Sequence, residues 1–340
     1  MVETFLGPAP GKDYSVFGPR NVRKYYGSEV LVQLSKHNIH LGILYGTSGI
    51  ELSDFLLLDS VPAGVLFEMC AVTYSQLPAP IKKQLKKHKN CIILQDHMQV
   101  LYTQNKVHHR TASGTAEGIP MWLLCTMADA FETNNISTQF PQSNSQTLAI
   151  CLVNKMRKHR LDMLEQLHQS NLLDQCDWTC SVTLPPNDSV SYMRLQKHTA
   201  HPFVARYKDQ LPKNMHIDTY KECVTFPQQM HGNYKWMISC ETYDNVPFVT
   251  EKTFKAFLSG AIPLTVACKG FNQHLLDMGF LMPGDYDHFS GKRRAKRIAE
   301  IIQTDNTDYT EIAKHNYERI MDVRGIATLI AQRIKEQYTL

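Results

Sequence analysis

The chain's best-equipped anion site is a lysine that opens an apolar helical run. In Tyr234–Phe280 (YKWMISCETYDNVPFVTEKTFKAFLSGAIPLTVACKGFNQHLLDMGF) a strand-like apolar run ends in Glu241, and a polar loop follows. Thr250 then stands at a helix N-cap position, ahead of Glu251 and Lys252. The first turn of a helix leaves backbone N–H groups without intrahelical partners and carries the positive end of the helix dipole, so it attracts anions. Lys252 adds a full positive charge, while Glu241 and Glu251 offer acceptors for vicinal hydroxyls. A diphosphate attached to a ribose presents the complementary groups. The same residues also describe an ordinary capped helix with an adjacent charge pair.

Such a site needs strands and helices to hold it. Leu148–Val153 reads as a strand, and Lys155–Gln169 as a helix with Met156, Leu161, Leu164 and Leu167 on its apolar side. Trp236–Cys240 is a strand, Glu251–Ser259 a helix stopped by Gly260, and Ile262–Ala267 a further strand. From Arg293 onward the pattern is mostly helical. Earlier in the chain, Asn21–His37, Ile81–Lys89 and Ile119–Phe131 have helical spacing. His40–Tyr45, Phe55–Asp59, Val65–Ser75 and Cys91–Gln95 read as extended. Between the two halves lies Thr133–Thr147, nearly all Asn, Ser, Thr and Gln, which reads as an inter-domain linker.

Strand–helix alternation on both sides of that linker predicts an α/β protein of two facing doubly wound, Rossmann-like domains. The expected domains are 1–138 and 147–340, with the last helix able to cross back to the first. Ligands of such sheets sit at the carboxyl ends of the strands, which puts the expected site in the cleft.

At 340 residues the chain is long enough for two domains, and its 43% apolar and 20% charged composition excludes fibrous and wholly disordered classes. No apolar run approaches the ~18–20 residues that span a bilayer, and Met1-Val2-Glu3-Thr4 lacks the basic start of a signal peptide. The expectation is a cytoplasmic protein without a membrane. Nine scattered cysteines without a CxxC pair suit reduced, buried thiols rather than zinc. No GxGxxG, GxxxxGK[ST] or GxSxG occurs, so dinucleotide, P-loop and hydrolase-elbow sites lack support. Asp285-Tyr286-Asp287 matches a metal-holding DxD but follows Met-Pro-Gly rather than an apolar strand, so no metal is expected. Net charge is only +4, yet Lys82, Lys83 and Lys86, and Arg293, Arg294 and Arg297, form local clusters able to neutralise a polyanion. They could equally be solvated helix faces.

The order strand–Glu241–loop–VTEK–apolar helix–Gly–Ile-Pro strand resembles the donor-binding motif of the α1,3-fucosyltransferases. It is closer still to fucosyltransferase-like C-terminal domains encoded by bacteriophages. About 50 residues carry the resemblance well, and Leu148–Phe280 loosely. It implies the GT-B architecture, with a nucleotide sugar held by the C-terminal domain and no other cofactor. Thr242-Tyr243 and Phe248 replace the family's Asn-Ser and Tyr, which leaves the nucleotide-diphosphate logic intact and the sugar open. The resemblance further implies a diphosphate-binding Arg early in the first helix of that domain, either Arg157 or Arg160. An inverting transfer also needs a base from the N-terminal domain. Asp96, directly after CIILQ, is the first choice among Asp54, Asp59, Glu68 and Asp96.

The expected activity is therefore transfer of a sugar from a UDP- or GDP-linked donor. The expected acceptor is a hydroxylated or hydroxymethylated pyrimidine in double-stranded phage DNA. A glycan or small hydroxyl acceptor, or a non-catalytic nucleic-acid-binding protein on the same fold, are the alternatives.

Overall fold

The computed structural model describes residues 36, 40–45, 65–70, 91–95, 99–103, 106–109, 139–141, 148–150, 158–173, 176–180, 200–207, 215–217, 234–241, 249, 251–267, 271–283 and 294–338. The chain divides into two compact units, Met1–Glu132 with Asp322–Leu340, and Thr133–Met321.

The first unit contains a five-stranded sheet in sequential order: β1 (His40–Tyr45), β2 (Val65–Cys70), β3 (Cys91–Gln95), β4 (Gln99–Thr103) and β5 (Lys106–His109). β1, β2 and β3 are parallel, with His40 opposite Val65 and Leu66 opposite Ile92. β3, β4 and β5 are antiparallel. The alternation in the sequence predicts no strand over 99–109. The hairpin there is a departure from an all-parallel sheet, and short connections explain it. Only residues 96–98 and 104–105 separate its strands, too few for the crossover of a dozen or more that a parallel pair needs.

The second unit is built on β6 (Leu148–Ile150), β7 (Cys176–Cys180), β8 (Met215–Ile217), β9 (Trp236–Cys240) and β10 (Ile262–Val266). Its spatial order is β10-β9-β6-β7-β8, and every neighbouring pair is parallel. The chain thus builds outward from β6 through β7 to β8, then returns to place β9 on the other side of β6. The strand order reverses between β6 and β9.

β9 and β10 are buried at every position, the pattern of parallel strands covered on both faces. Alternation along β9 divides the core. Trp236, Ile238 and Cys240 join Leu161, Leu164 and Leu167 of α1 (Lys158–Gln169), whereas Met237 joins Ala256 of α3 (Glu251–Leu258). Pro263 lies on β10, at the end of the strand order.

The helices stop where left-handed residues permit. α3 ends in a Schellman motif, with Gly260 N–H on Phe257 C=O, Ala261 N–H on Ala256 C=O, and Gly260 at φ 73°. A Cβ at Gly260 would come within 2.9 Å of Pro141 Cγ. α4 (Phe271–Asp277) ends in the same way at Gly279, φ 85°, and α1 at Asn171, φ 55°. α2 (Pro202–Tyr207) packs on α1. α5 (Arg294–Thr304) also packs on α1, and α6 (Thr310–Met321) on α3. α7 (Val323–Tyr338) belongs to the first unit.

Of the expected linker, residues 139–141 are described. Phe140 packs on the second unit's core and meets Tyr317 edge-on at 5.8 Å, an aromatic side chain in a largely polar segment. Among the described residues no helix is long and apolar enough to cross a membrane.

Candidate functional site

The carboxyl end of β9 is where the described candidates converge. Parallel strands end in carbonyls with no next ladder partner, and here two consecutive ones are met by two consecutive residues of α1. Arg160 Nη2 donates to the Cys240 carbonyl at 3.1 Å, and His159 Nε2 donates to the Glu241 carbonyl at 3.2 Å. Arg160 is 1% exposed. Burying a guanidinium is tolerated where hydrogen bonds replace its water. The Glu241 amide donates to Val266 of β10 at 3.3 Å, which fixes the strand end from the other side.

Glu241 itself has no exposed surface. Its Oε1 accepts the Thr253 hydroxyl at 2.7 Å, and Thr253 Oγ1 lies 3.5 Å from Thr265 Oγ1 of β10. Ser239, the register partner of Thr265, is fully buried. Among the described residues its hydroxyl has no hydrogen-bond partner. A polar strip thus runs beneath the first turns of α3, bounded by apolar packing. α3 also carries Lys252 and Lys255, 5% and 1% exposed.

The structure brings Arg160, Glu241 and the Lys252 turn of α3 to one end of the second unit's sheet. α3 starts at Glu251, directly after Thr250 in sequence. Thr250, Arg157, Asp96, Lys82, Lys83, Lys86 and Arg293 lie outside the described residues, as do the Asp54, Asp59 and Asp285-Tyr286-Asp287 alternatives. Glu251 and Glu68 are placed on their helix and strand by backbone only. In α5, Arg294 is buried at 7%, so it is withdrawn from the surface a polyanion would meet. Lys296 and Arg297 remain exposed, with Arg297 3.5 Å from Glu300. Among the described residues no group of three or more His, Cys, Asp or Glu is placed to hold a metal ion.

His159, Thr253, Thr265 and Ser239 were not legible as site residues. His159 could have been found as the neighbour of Arg160. Thr253 had no signal, because a helical threonine is ordinarily a surface residue.

The opposite flank of α1 is a conventional ion-pair surface. Glu165 accepts both guanidinium nitrogens of Arg206, at 2.7 and 3.0 Å, and these bonds hold its carboxyl below the usual range. Burial alone would push Asp162 upward. The bonds from Lys158 (2.9 Å) and His201 (3.1 Å) outweigh it and lower the carboxyl. His201 Nδ1 accepts the Phe203 N–H at 3.3 Å, which assigns the ring proton to Nε2.

No protein-family model matches this chain, and no curated protein is significantly similar to it in sequence.

Proposed function

We propose that the chain is a nucleotide-sugar-dependent glycosyltransferase of GT-B type, and that its second unit is the donor-binding, Rossmann-like half. One observation carries the reading. Arg160 and the β9 end, eighty residues apart in sequence, meet where the strand order of the sheet reverses, the position at which open α/β sheets receive ligands. The residues gathered there suit a nucleoside diphosphate. Arg160 and Lys252 supply positive charge for the phosphates; Arg157 and Thr250, their neighbours in sequence, are the further candidates. Glu241 and Glu251 supply acceptors for ribose hydroxyls.

In this reading the displacement inverts the anomeric centre. A carboxylate of the first unit, Asp96, takes the acceptor proton, while Arg160, Lys252 and the α3 terminus stabilise the departing diphosphate in place of a metal. The acceptor we favour is a hydroxymethylated pyrimidine in DNA, flipped from the duplex to reach the site. The exposed Lys296 and Arg297, together with Lys82, Lys83, Lys86 and Arg293, would supply the backbone contacts.

The test is direct. The protein is incubated with UDP- and GDP-sugars and with DNA containing hydroxymethylated bases, which is then digested to nucleosides for mass spectrometry. A mass gain of one sugar on the modified nucleoside is the expected result. A gain only on saccharides moves the acceptor to glycans. No transfer, together with no thermal stabilisation by any nucleoside diphosphate, removes the enzyme reading.

A further inference from the structure

We infer that His201 is a pH-sensitive cap on the connection between β7 and β8: as neutral imidazole it holds the start of α2, and as imidazolium it releases it. This stands independently of the donor reading above.

α2 lies between β7 and β8 in the chain, and β8 ends the strand order. Its six residues are too few to hold a helix alone, so α2 depends on its packing and its cap. Phe203 and Val204 supply the packing, buried in the core that α1 also lines. His201 supplies the cap. Its carbonyl accepts the Ala205 N–H at 2.9 Å, and its Nδ1 accepts the Phe203 N–H at 3.3 Å. Pro202 between them has no N–H to place. Serine, threonine, aspartate and asparagine usually cap a helix, and their oxygens remain acceptors down to mildly acidic pH. A histidine cap does not, because the lone pair that accepts is the one that takes up a proton.

The other ring nitrogen decides where that proton goes. A backbone N–H only donates, so Nδ1 is the unprotonated nitrogen, and Nε2 carries the proton that it donates to Asp162 Oδ1 at 3.1 Å. A second proton therefore enters at Nδ1, and the ring keeps 13% of its surface open to receive it. It sets an N–H against the Phe203 N–H and places a full positive charge at the positive end of α2. Asp162, which also accepts Lys158 at 2.9 Å, gains a charge partner in the same step. The imidazolium thus stays on α1, and the start of α2 gives way. The other charged groups described on the packed helices are engaged elsewhere. Glu165 is taken up by Arg206 and Gln169 with His168 beside it, Arg160 and His159 lie on the β9 carbonyls, and on α5 Arg297 meets Glu300.

The experiment is hydrogen–deuterium exchange of the full chain at pH 8, 7, 6 and 5, read by mass spectrometry on peptides covering 200–207. Rates are corrected for the intrinsic pH dependence of exchange, and α3 serves as the reference. In the parent, protection of α2 relative to α3 should fall about fivefold between pH 8 and pH 5, the ordinary worth of an N-cap. His201→Asn keeps an acceptor that does not titrate, so α2 should stay protected throughout. His201→Ala should show the low protection of the parent at pH 5 at every pH. If His201→Ala does not fold, the parent and His201→Asn make the comparison by themselves. A flat profile in the parent overturns the inference. A fall of parental size in either variant overturns it too, because another group would then be titrating.

Discussion

Two places in the second unit solve the same bonding problem with the same residue types. At the α4–α6 junction, Arg319 Nε donates to Met278 C=O at 2.9 Å and His315 Nε2 to Gly279 C=O at 2.9 Å. Asn316 closes a two-bond ring with the Leu281 backbone at 2.7 Å each way. At the β9 end, Arg160 and His159 likewise donate to consecutive carbonyls. An arginine and a histidine on a chain end are therefore a general way to satisfy carbonyls and say nothing by themselves about ligands. The β9 end differs in what accompanies them. A fully buried carboxylate and a strip of hydroxyls accompany them at the carboxyl end of β9, and the next helix carries two buried lysines. At the α4–α6 junction, by contrast, the described side chains that meet the backbone are Arg319, His315 and the neutral Asn316.

The largest effect should separate the two places by stability. Asn316→Leu leaves the Leu281 N–H and C=O without their partner at a fully buried side chain, a loss of about 2–4 kcal/mol. The midpoint of denaturant unfolding should fall by that amount, while any nucleotide affinity of the folded variant should match the parent.

The next separates them by binding. Arg160→Ala should weaken nucleoside diphosphate binding by about 10–150-fold, from a lost charge-assisted contact of roughly 1.5–3 kcal/mol, and Lys252→Ala should act in the same direction. Arg319→Ala should leave that affinity unchanged in the same titration. Equal losses in the Arg160 and Arg319 variants would make the β9 end merely another closed chain end.

Gly279→Ala sharpens the structural side. The residue sits at φ 85°, and an added Cβ would lie 2.9 Å from Arg319 Nε, so about 1–2 kcal/mol should be lost. Arg319→Ala in the same background should recover part of that loss, because it removes the atom in the way.

The smallest effect is acidic. Asp162 and Glu165 titrate below their ordinary values when folded, so their contribution is present above about pH 5 and fades as pH falls through the folded values. Asp162 keeps 30% of its side chain exposed and Arg206, the partner of Glu165, keeps 38%, so solvent screening limits the sum to about 1 kcal/mol. Stability measured from pH 6 to 2 should decline more steeply in the parent than in Asp162→Asn with Glu165→Gln.

Legibility followed the strength of local patterns. The strands expected at 40–45, 91–95 and 236–240 coincide with β1, β3 and β9, because each is a short apolar run bounded by polar or turn residues. The helix at 251–259 was readable from Thr250 and Gly260, and α3 occupies 251–258. β7 (CDWTC), β8 (MHI) and the β4–β5 hairpin were missed. They are brief or carry polar residues, so pairing in the sheet rather than local preference makes them strands. At the candidate site, Glu241 and Lys252 are suggested by charge at element ends, and Arg160 by the family resemblance. The Glu241–Thr253 bond spans twelve residues and two elements, and no periodicity announces such a contact.

Pro263 has a consequence for how the molecule meets others of its kind. A strand at the end of a sheet order offers its outward N–H and C=O groups as a template on which a foreign strand can add. Among the described strands β10 ends the order, rich in β-favouring residues, and its burial at every position already covers much of that row. Proline removes one donor from the row and fixes its own φ, so an incoming strand cannot complete its ladder there. A residue that breaks the regularity of the strand thereby guards against cross-molecular pairing at the start of β10, away from its Val266 end.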